Sequence, residues 1–176
     1  MKGMVFTEFL EMVETRWSLD VVDDIIADAA PPNGGAYTAV GTYDHEELVA
    51  LVVALSKRTG QSTHTLVHAF GQYLFGRFVA LFPNFFVGIA HPFDFLEGIE
   101  GVIHVEVRKL YPDAELPRFQ CERSADRLSM VYRSPRHMGD LAEGLIHAAI
   151  DHFLVPVDVG RRDLPDRAVE FTLRQR

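Results

Sequence analysis

Tyr132, Ser134 and Arg136 place a phenol, a hydroxyl and a guanidinium at every second position of the stretch YRSPR. In an extended chain alternate side chains leave on the same side, with successive ones roughly 6.5 Å apart. The stretch therefore reads as a row of hydrogen-bond donors ending in a permanent positive charge. An anionic, oxygen-rich partner suits such a row, because arginine offers carboxylates a fork of N–H donors. Pro135 would hold the serine before it extended. The pattern is short, however, and a strand end with an exposed arginine would also produce it.

A second candidate is His104, in GIEGVIHVEVRKLY. Val102, Ile103, Val105 and Val107 surround it, which sets it apart from the seven other histidines. His45 and His64 fall near expected helix starts, facing solvent, and His137 and His152 stand beside charged residues at element ends. VIHVEV also alternates like a strand, but the spacing of Leu96, Ile99, Ile103 and Leu110 favours a helix. On a helix Gly101 lies one turn before His104 on the same face. The missing side chain would let a flat ligand approach the imidazole. Taken alone, a buried histidine bonded to a carbonyl is the commoner role.

Other chemistry is missing. There is no Gly-rich phosphate loop, no H-E-x-x-H and no G-x-S-x-G. The carboxylates of EGIEG and DVVDD read as charge for solubility on solvated helix faces. Cys121 is the only cysteine, so neither an intrachain disulfide nor a multi-cysteine metal site can form. A hydrolase or transferase site is not expected, and the chain is not read as an enzyme.

The 176 residues suit one domain, 1–176, with a substantial core. Net charge is −8, with no basic cluster before the last third, which argues against nucleic acid. Glu8, Glu11 and Glu14 interrupt the apolar N-terminus, so no signal peptide is expected. No run reaches transmembrane length. The expected setting is the cytoplasm, away from membranes. Thirteen phenylalanines are many for this length; they fill a core or line a pocket for something large and flat.

Helical periodicity predicts helices over residues 2–17, 18–30, 44–60 and 62–83, and one long helix between Pro92 and Pro112. Asp44, with Glu47 three residues later, marks a helix start, and Gly60 a stop. Residues 36–43 form a loop or short strand. Two strands flank the turn SAD at 124–126, a helix follows over GDLAEGLIHAAIDHFL, and two more strands flank a turn at 161–166. The expected fold is α+β: a helical N-terminal lobe of about residues 1–90, then a lobe of about 91–176 with a roughly four-stranded antiparallel sheet and helices.

In this order and spacing, MKGMVF, AFGQYLFGRF, VIHVEVRKLYPDAELP, YRSPR and EGLIHAA resemble the heme-nitric oxide/oxygen binding (H-NOX) family, which includes the sensor domain of soluble guanylate cyclase. The resemblance covers nearly the whole chain. It implies a heme b cofactor, ferrous iron protoporphyrin IX, held between the lobes. His104 would then be the iron ligand, and Tyr132, Ser134 and Arg136 would hold the propionates. Pro117, thirteen residues after His104, matches a family proline that presses on the porphyrin. Val5, Phe9, Leu74, Phe78 and Leu145 would wall an apolar pocket, whose burial of heme could contribute on the order of 10 kcal/mol.

Oxygen-binding members carry a distal tyrosine supported by a tryptophan and an asparagine. The corresponding positions here are Leu141, Phe9 and Leu74. Gln72 and Tyr73 adjoin Leu74, but on a helix they point roughly 100° to 200° away. The resemblance thus implies a sensor for NO, also binding CO, that rejects O₂. Its partner would be a histidine kinase or a cyclic-di-GMP enzyme acting in trans. The alternatives are a heme protein for NO scavenging or heme handling, and a non-heme interaction domain.

Overall fold

Phe6, Phe9, Met12 and Val13 recur at helical spacing and are fully buried, which makes α1 (Gly3–Arg16) the innermost helix of the N-terminal half. These details come from a computed structural model that describes residues 1–176. α2 (Leu19–Ala29) starts at Ser18, whose Oγ accepts the Val21 N–H, and stops at a left-handed Ala30 ahead of Pro31. α3 (His45–Thr59) runs from Asp44, whose carboxylate accepts the Glu46 N–H, to Gly60 at φ 73°. Glu47 does not complete the cap: its carboxylate accepts the Tyr37 hydroxyl at 3.0 Å. Residues 36–43 form a loop, tied to the N-terminus by an isolated bridge between Lys2 and Thr42.

α4 (Thr63–Leu81) packs against α7 (Gly139–Phe153) with little room between them. A Cβ on Gly71 would stand 2.4 Å from the Leu141 carbonyl oxygen, and one on Gly144 only 2.1 Å from the His68 carbonyl oxygen. Both obstacles are backbone, so only glycine permits this approach.

The helix expected between Pro92 and Pro112 is not continuous. α5 (Pro92–Gly98) gives way to a π-helical turn, Ile99–Ile103, before α6 (His104–Leu110). The His104 N–H reaches back to the Ile99 carbonyl, five residues away. Gly98, Gly101 and the β-branched residues around them weaken the α-helical preference, and a widened turn results.

β1 (Arg118–Arg123), β2 (Arg127–Arg133), β3 (Val157–Asp163) and β4 (Val169–Gln175) form one antiparallel sheet in the order β1-β2-β4-β3. Met130 pairs with Cys121 on one side and Phe171 on the other. Leu128, Met130 and Tyr132 alternate inward, facing the buried Val169, Phe171 and Leu173. β3 extends past the expected boundary: Arg161 to Asp163 belong to the strand, and the connection to β4 is 164–168. The α+β architecture is as the sequence predicts.

Two apolar cores result. One joins α1 to α4 around Phe6, Phe9, Leu51 and Leu74. The other joins α5 and α7 to the sheet around Phe93, Met130, Ile146 and Phe171. The only buried polar or charged side chains are Glu8 and His104. Glu8 accepts the Arg77 Nε–H at 2.6 Å, an ion pair that ties α1 to α4. No helix is long and apolar enough to cross a membrane.

Candidate functional site

His104 opens α6 directly after the π turn, with 7% of its surface exposed. Its Nδ1 lies 3.1 Å from the Glu100 carboxylate, and the same oxygen accepts the Phe119 N–H of β1 at 2.9 Å. An ionised carboxylate only accepts, so the imidazole proton belongs on Nδ1 and the lone pair on Nε2. Nε2 bonds to nothing in the protein. No buried side-chain nitrogen or oxygen is left unpartnered, so Nε2 opens onto space. A Cβ on Gly101 would meet nothing within 4 Å, so this helix face is clear. Burial pushes the imidazole below its ordinary pKa and outweighs the opposing pull of Glu100. At neutral pH the ring is uncharged, the form that ligates a metal.

One aromatic ring separates His104 from the donor row. The Phe119 centroid is 6.2 Å from the His104 ring and 5.5 Å from the Tyr132 ring. Tyr132 belongs to β2 and is buried, which pushes its phenol up and keeps it protonated. The row is not fully extended. β2 ends at Arg133, since Pro135 has no N–H for a ladder. Ser134 instead starts a turn: its carbonyl accepts the His137 N–H, and its Oγ accepts the Arg136 N–H at 3.2 Å. His137 closes the turn at φ 51°. The alternation survives the bend: Arg133, Pro135 and His137 are exposed, whereas Tyr132, Ser134 and Arg136 are at least partly buried.

Tyr132 and Arg136 retain donors to give. The Tyr132 oxygen accepts the Met138 N–H at 3.2 Å and is also within reach of the Ser134 hydroxyl, whereas its own proton reaches no protein acceptor. Arg136 has five N–H donors. Two of its nitrogens bond to Glu115, at the carbonyl (2.6 Å) and the carboxylate (2.7 Å). This side already holds one carboxylate. A surface cleft on the outer side of the turn, between Arg118, Arg133 and Arg167, touches Ser134 but does not include His104.

The apolar residues divide by depth. Phe9 and Leu74 are sealed in the first core, where Phe9 meets Phe70 edge-on at 5.2 Å. Val5, Phe78, Leu141 and Leu145 are half-buried at its border, and Leu145 also touches the second core. Pro117 is half-buried two residues before Phe119. Tyr73 stands among the charges of Glu11, Glu8 and Arg77, and its phenol is pushed up, first by burial. Among the other histidines, His68 and His147 bond to each other at 2.7 Å, and the His64 side chain is exposed. Burial pushes the Cys121 thiol up to about 11, so it is not a thiolate.

Glu100 was not legible as a site residue; its carboxylate read as solvated charge. The available signal was its place four residues before His104 on the same helix face. These groups fit a heme: one neutral imidazole with a free Nε2, donors with unspent protons, a clear glycine face and half-buried apolar side chains.

Residues 2–161 match the sequence model of the haem-NO-binding family. The ferrous unliganded H-NOX protein from K. algicida is 36% identical, with a TM-score of 0.93 over 100% of this chain and 97% of that one. The IWP-051-bound H-NOX from Shewanella woodyi in the Fe(II)CO state is 35% identical, with a TM-score of 0.85 over 100% and 95%. An H-NOX protein from S. oneidensis in the Fe(II)NO state is 25% identical, with a TM-score of 0.92 over 100% and 99%. No curated protein matches significantly. The chain belongs to the haem-NO-binding (H-NOX) family, a family of heme-based gas sensors.

Proposed function

We propose that this chain is a heme-binding domain, cytoplasmic in setting, that senses nitric oxide. The observation that carries the reading is the neutral, buried His104, with Nδ1 anchored and Nε2 free beside the clear face of Gly101. When bound, ferrous heme b would supply an iron able to take an imidazole together with NO or CO. His104 is the residue assigned to that iron. Tyr132, Ser134 and Arg136 would hold the propionates, the Arg136 bond being charge-assisted. Pro117, half-buried two residues before Phe119, would press on the porphyrin. Val5, Phe9, Leu74, Phe78, Leu141 and Leu145 form the apolar wall.

Selectivity for NO follows from what that wall lacks. Bound O₂ carries partial negative charge and needs a donor, whereas NO binds ferrous iron strongly without one. Phe9, Leu74 and Leu141 have no polar atom to offer, and Tyr73 keeps company with Glu8, Glu11 and Arg77.

The output is a change in the hold on His104. His104 would hold the iron until NO binding weakens that hold, and a freed His104 would let α6 shift against the first core. The π turn preceding it is an irregular register that such a shift could change. A partner in trans, of the histidine kinase or cyclic-di-GMP class found with other family members, reads the two states. A coupling of roughly 1–3 kcal/mol is typical of such switches. The test is reconstitution with heme, followed by an NO titration of wild type watched by absorbance. A ferrous histidine-ligated spectrum that NO converts to a form without the histidine supports the reading; a protein that takes up no heme rejects it.

A further inference from the structure

We propose that Glu100 is the positioning residue that sets the strength of the iron–His104 bond, and with it the ease of His104 release. The inference rests on the heme reading above and deepens it.

Glu100 is a carboxylate where a backbone carbonyl or water would suffice to orient an imidazole. It stands 3.1 Å from His104 Nδ1. A full negative charge at that proton draws it away from the ring and raises electron density at Nε2, making the imidazole a stronger donor to a metal. The carboxylate is also fixed. The oxygen that faces Nδ1 accepts the Phe119 N–H at 2.9 Å, so β1 holds it in place from the far side. The Glu100 side chain is only 35% exposed, so water screens the pair in part.

Glu100 also lies inside the π turn, and the His104 N–H is bonded to Ile99 in that turn. Ring and carboxylate are therefore neighbours through both backbone and side chain. When His104 lets go, α6 can move only by carrying Glu100 away from the Phe119 N–H or by breaking the Nδ1 contact. One side chain thus tunes the ligand bond and ties α6 to the sheet. A purely structural Glu100 would supply the tie without affecting the bond.

The heme-loaded full chain is compared with Glu100→Gln, which keeps acceptors for both N–H groups but removes the charge. Three properties are read: the iron–histidine stretching frequency of the ferrous protein by resonance Raman, the midpoint potential, and the rate of histidine release after mixing with NO. Glu100→Gln is expected to lower the frequency, raise the potential and speed release by about 10-fold or more. Glu100→Asp, which keeps the charge on a shorter arm, should fall nearer wild type than Glu100→Gln in all three. Unfolding temperatures of the same samples separate lost structure from lost charge. Equal frequencies, potentials and release rates in wild type and Glu100→Gln would overturn the proposal, as would Glu100→Asp behaving like Glu100→Gln. A wild-type ferrous protein with no iron–histidine band would instead overturn the heme reading itself.

Discussion

The two halves of the molecule handle polarity in opposite ways. Around α1 and α4 the core is apolar throughout, and its single buried charge, Glu8, is answered by Arg77. The backbone there is regular: α2 and α3 each start at a side-chain cap and stop at a left-handed residue. The half built from α5, α6, α7 and the sheet is irregular where it matters. A π turn precedes His104, a bent strand end carries Ser134 and Arg136, and His137 is left-handed. Regular backbone supplies a wall that offers a gas no hydrogen bond. Irregular backbone aims the few polar groups that can hold a cofactor. On the proposed reading, selectivity and retention would fall to different halves, joined along the α4–α7 seam.

The largest expected effect comes from removing the proposed metal ligand. His104→Gly should abolish heme retention by the purified protein, and added imidazole should restore it by filling the gap. An unchanged ferrous spectrum without imidazole would move the ligand to another histidine. His68 and His147 are poorer candidates because they bond to each other.

Gly144→Ala attacks the seam between the halves. The new methyl would stand 2.1 Å from the His68 carbonyl oxygen, so α4 and α7 must separate. We expect a loss of stability of about 1–3 kcal/mol, measured by urea unfolding of the apo protein. Heme affinity should fall with it, because Leu141 and Leu145 ride on α7 while Leu74 and Phe78 ride on α4. A stable variant with normal heme uptake would show that the halves do not depend on this contact.

The donor row should show graded effects. Arg136→Ala should weaken heme retention by about 1.5–3 kcal/mol and Ser134→Ala by roughly 1, since charge-assisted bonds are the stronger. Equal heme loss rates in both variants and wild type, followed by transfer to an apo-globin, would remove the row from the site.

The smallest effect concerns pH and belongs to the seam. Burial, and then the neighbouring His147, push His68 below its ordinary value. The folded state therefore holds fewer protons on His68 than the unfolded chain does. The stabilisation is full above the unfolded pKa, near 6.5, and is lost as pH falls below it. The carboxylates held low by arginine, lysine or N–H partners, such as Asp158 and Glu170, act only in more acid solution. The urea midpoint of the heme-loaded protein should fall between about pH 6.5 and 5, and less steeply in His68→Gln. Parallel profiles for the two would deny His68 that part.

What could be read from the sequence follows the same division. Periodicity finds α1 to α4 and α7 because each is regular and buries one face. The strands are legible from β-branched and aromatic alternation, and β2 betrays the inward direction of Tyr132. Three things were not legible. The π turn depends on Gly98 and Gly101 acting together with β-branched neighbours, which periodicity reads only as an uninterrupted helix. The bend at Ser134 depends on Pro135 ending a ladder whose partner strand is distant in sequence. Glu100 needed a backbone N–H from β1 to become more than surface charge, and no local pattern carries that contact.

On the proposed reading, an apolar wall makes this heme-binding domain selective for NO. The direct measurement is the absorbance spectrum of the reduced wild-type protein, first mixed with air and then, in a separate sample, with NO. We expect no stable oxygen complex in air, a stable complex with NO, and at most partial oxygen stabilisation in Leu141→Tyr, whose phenol would have no supporting partner. A persistent oxygen complex in the wild type would mean that a donor reaches the ligand from this wall, and would contradict the account.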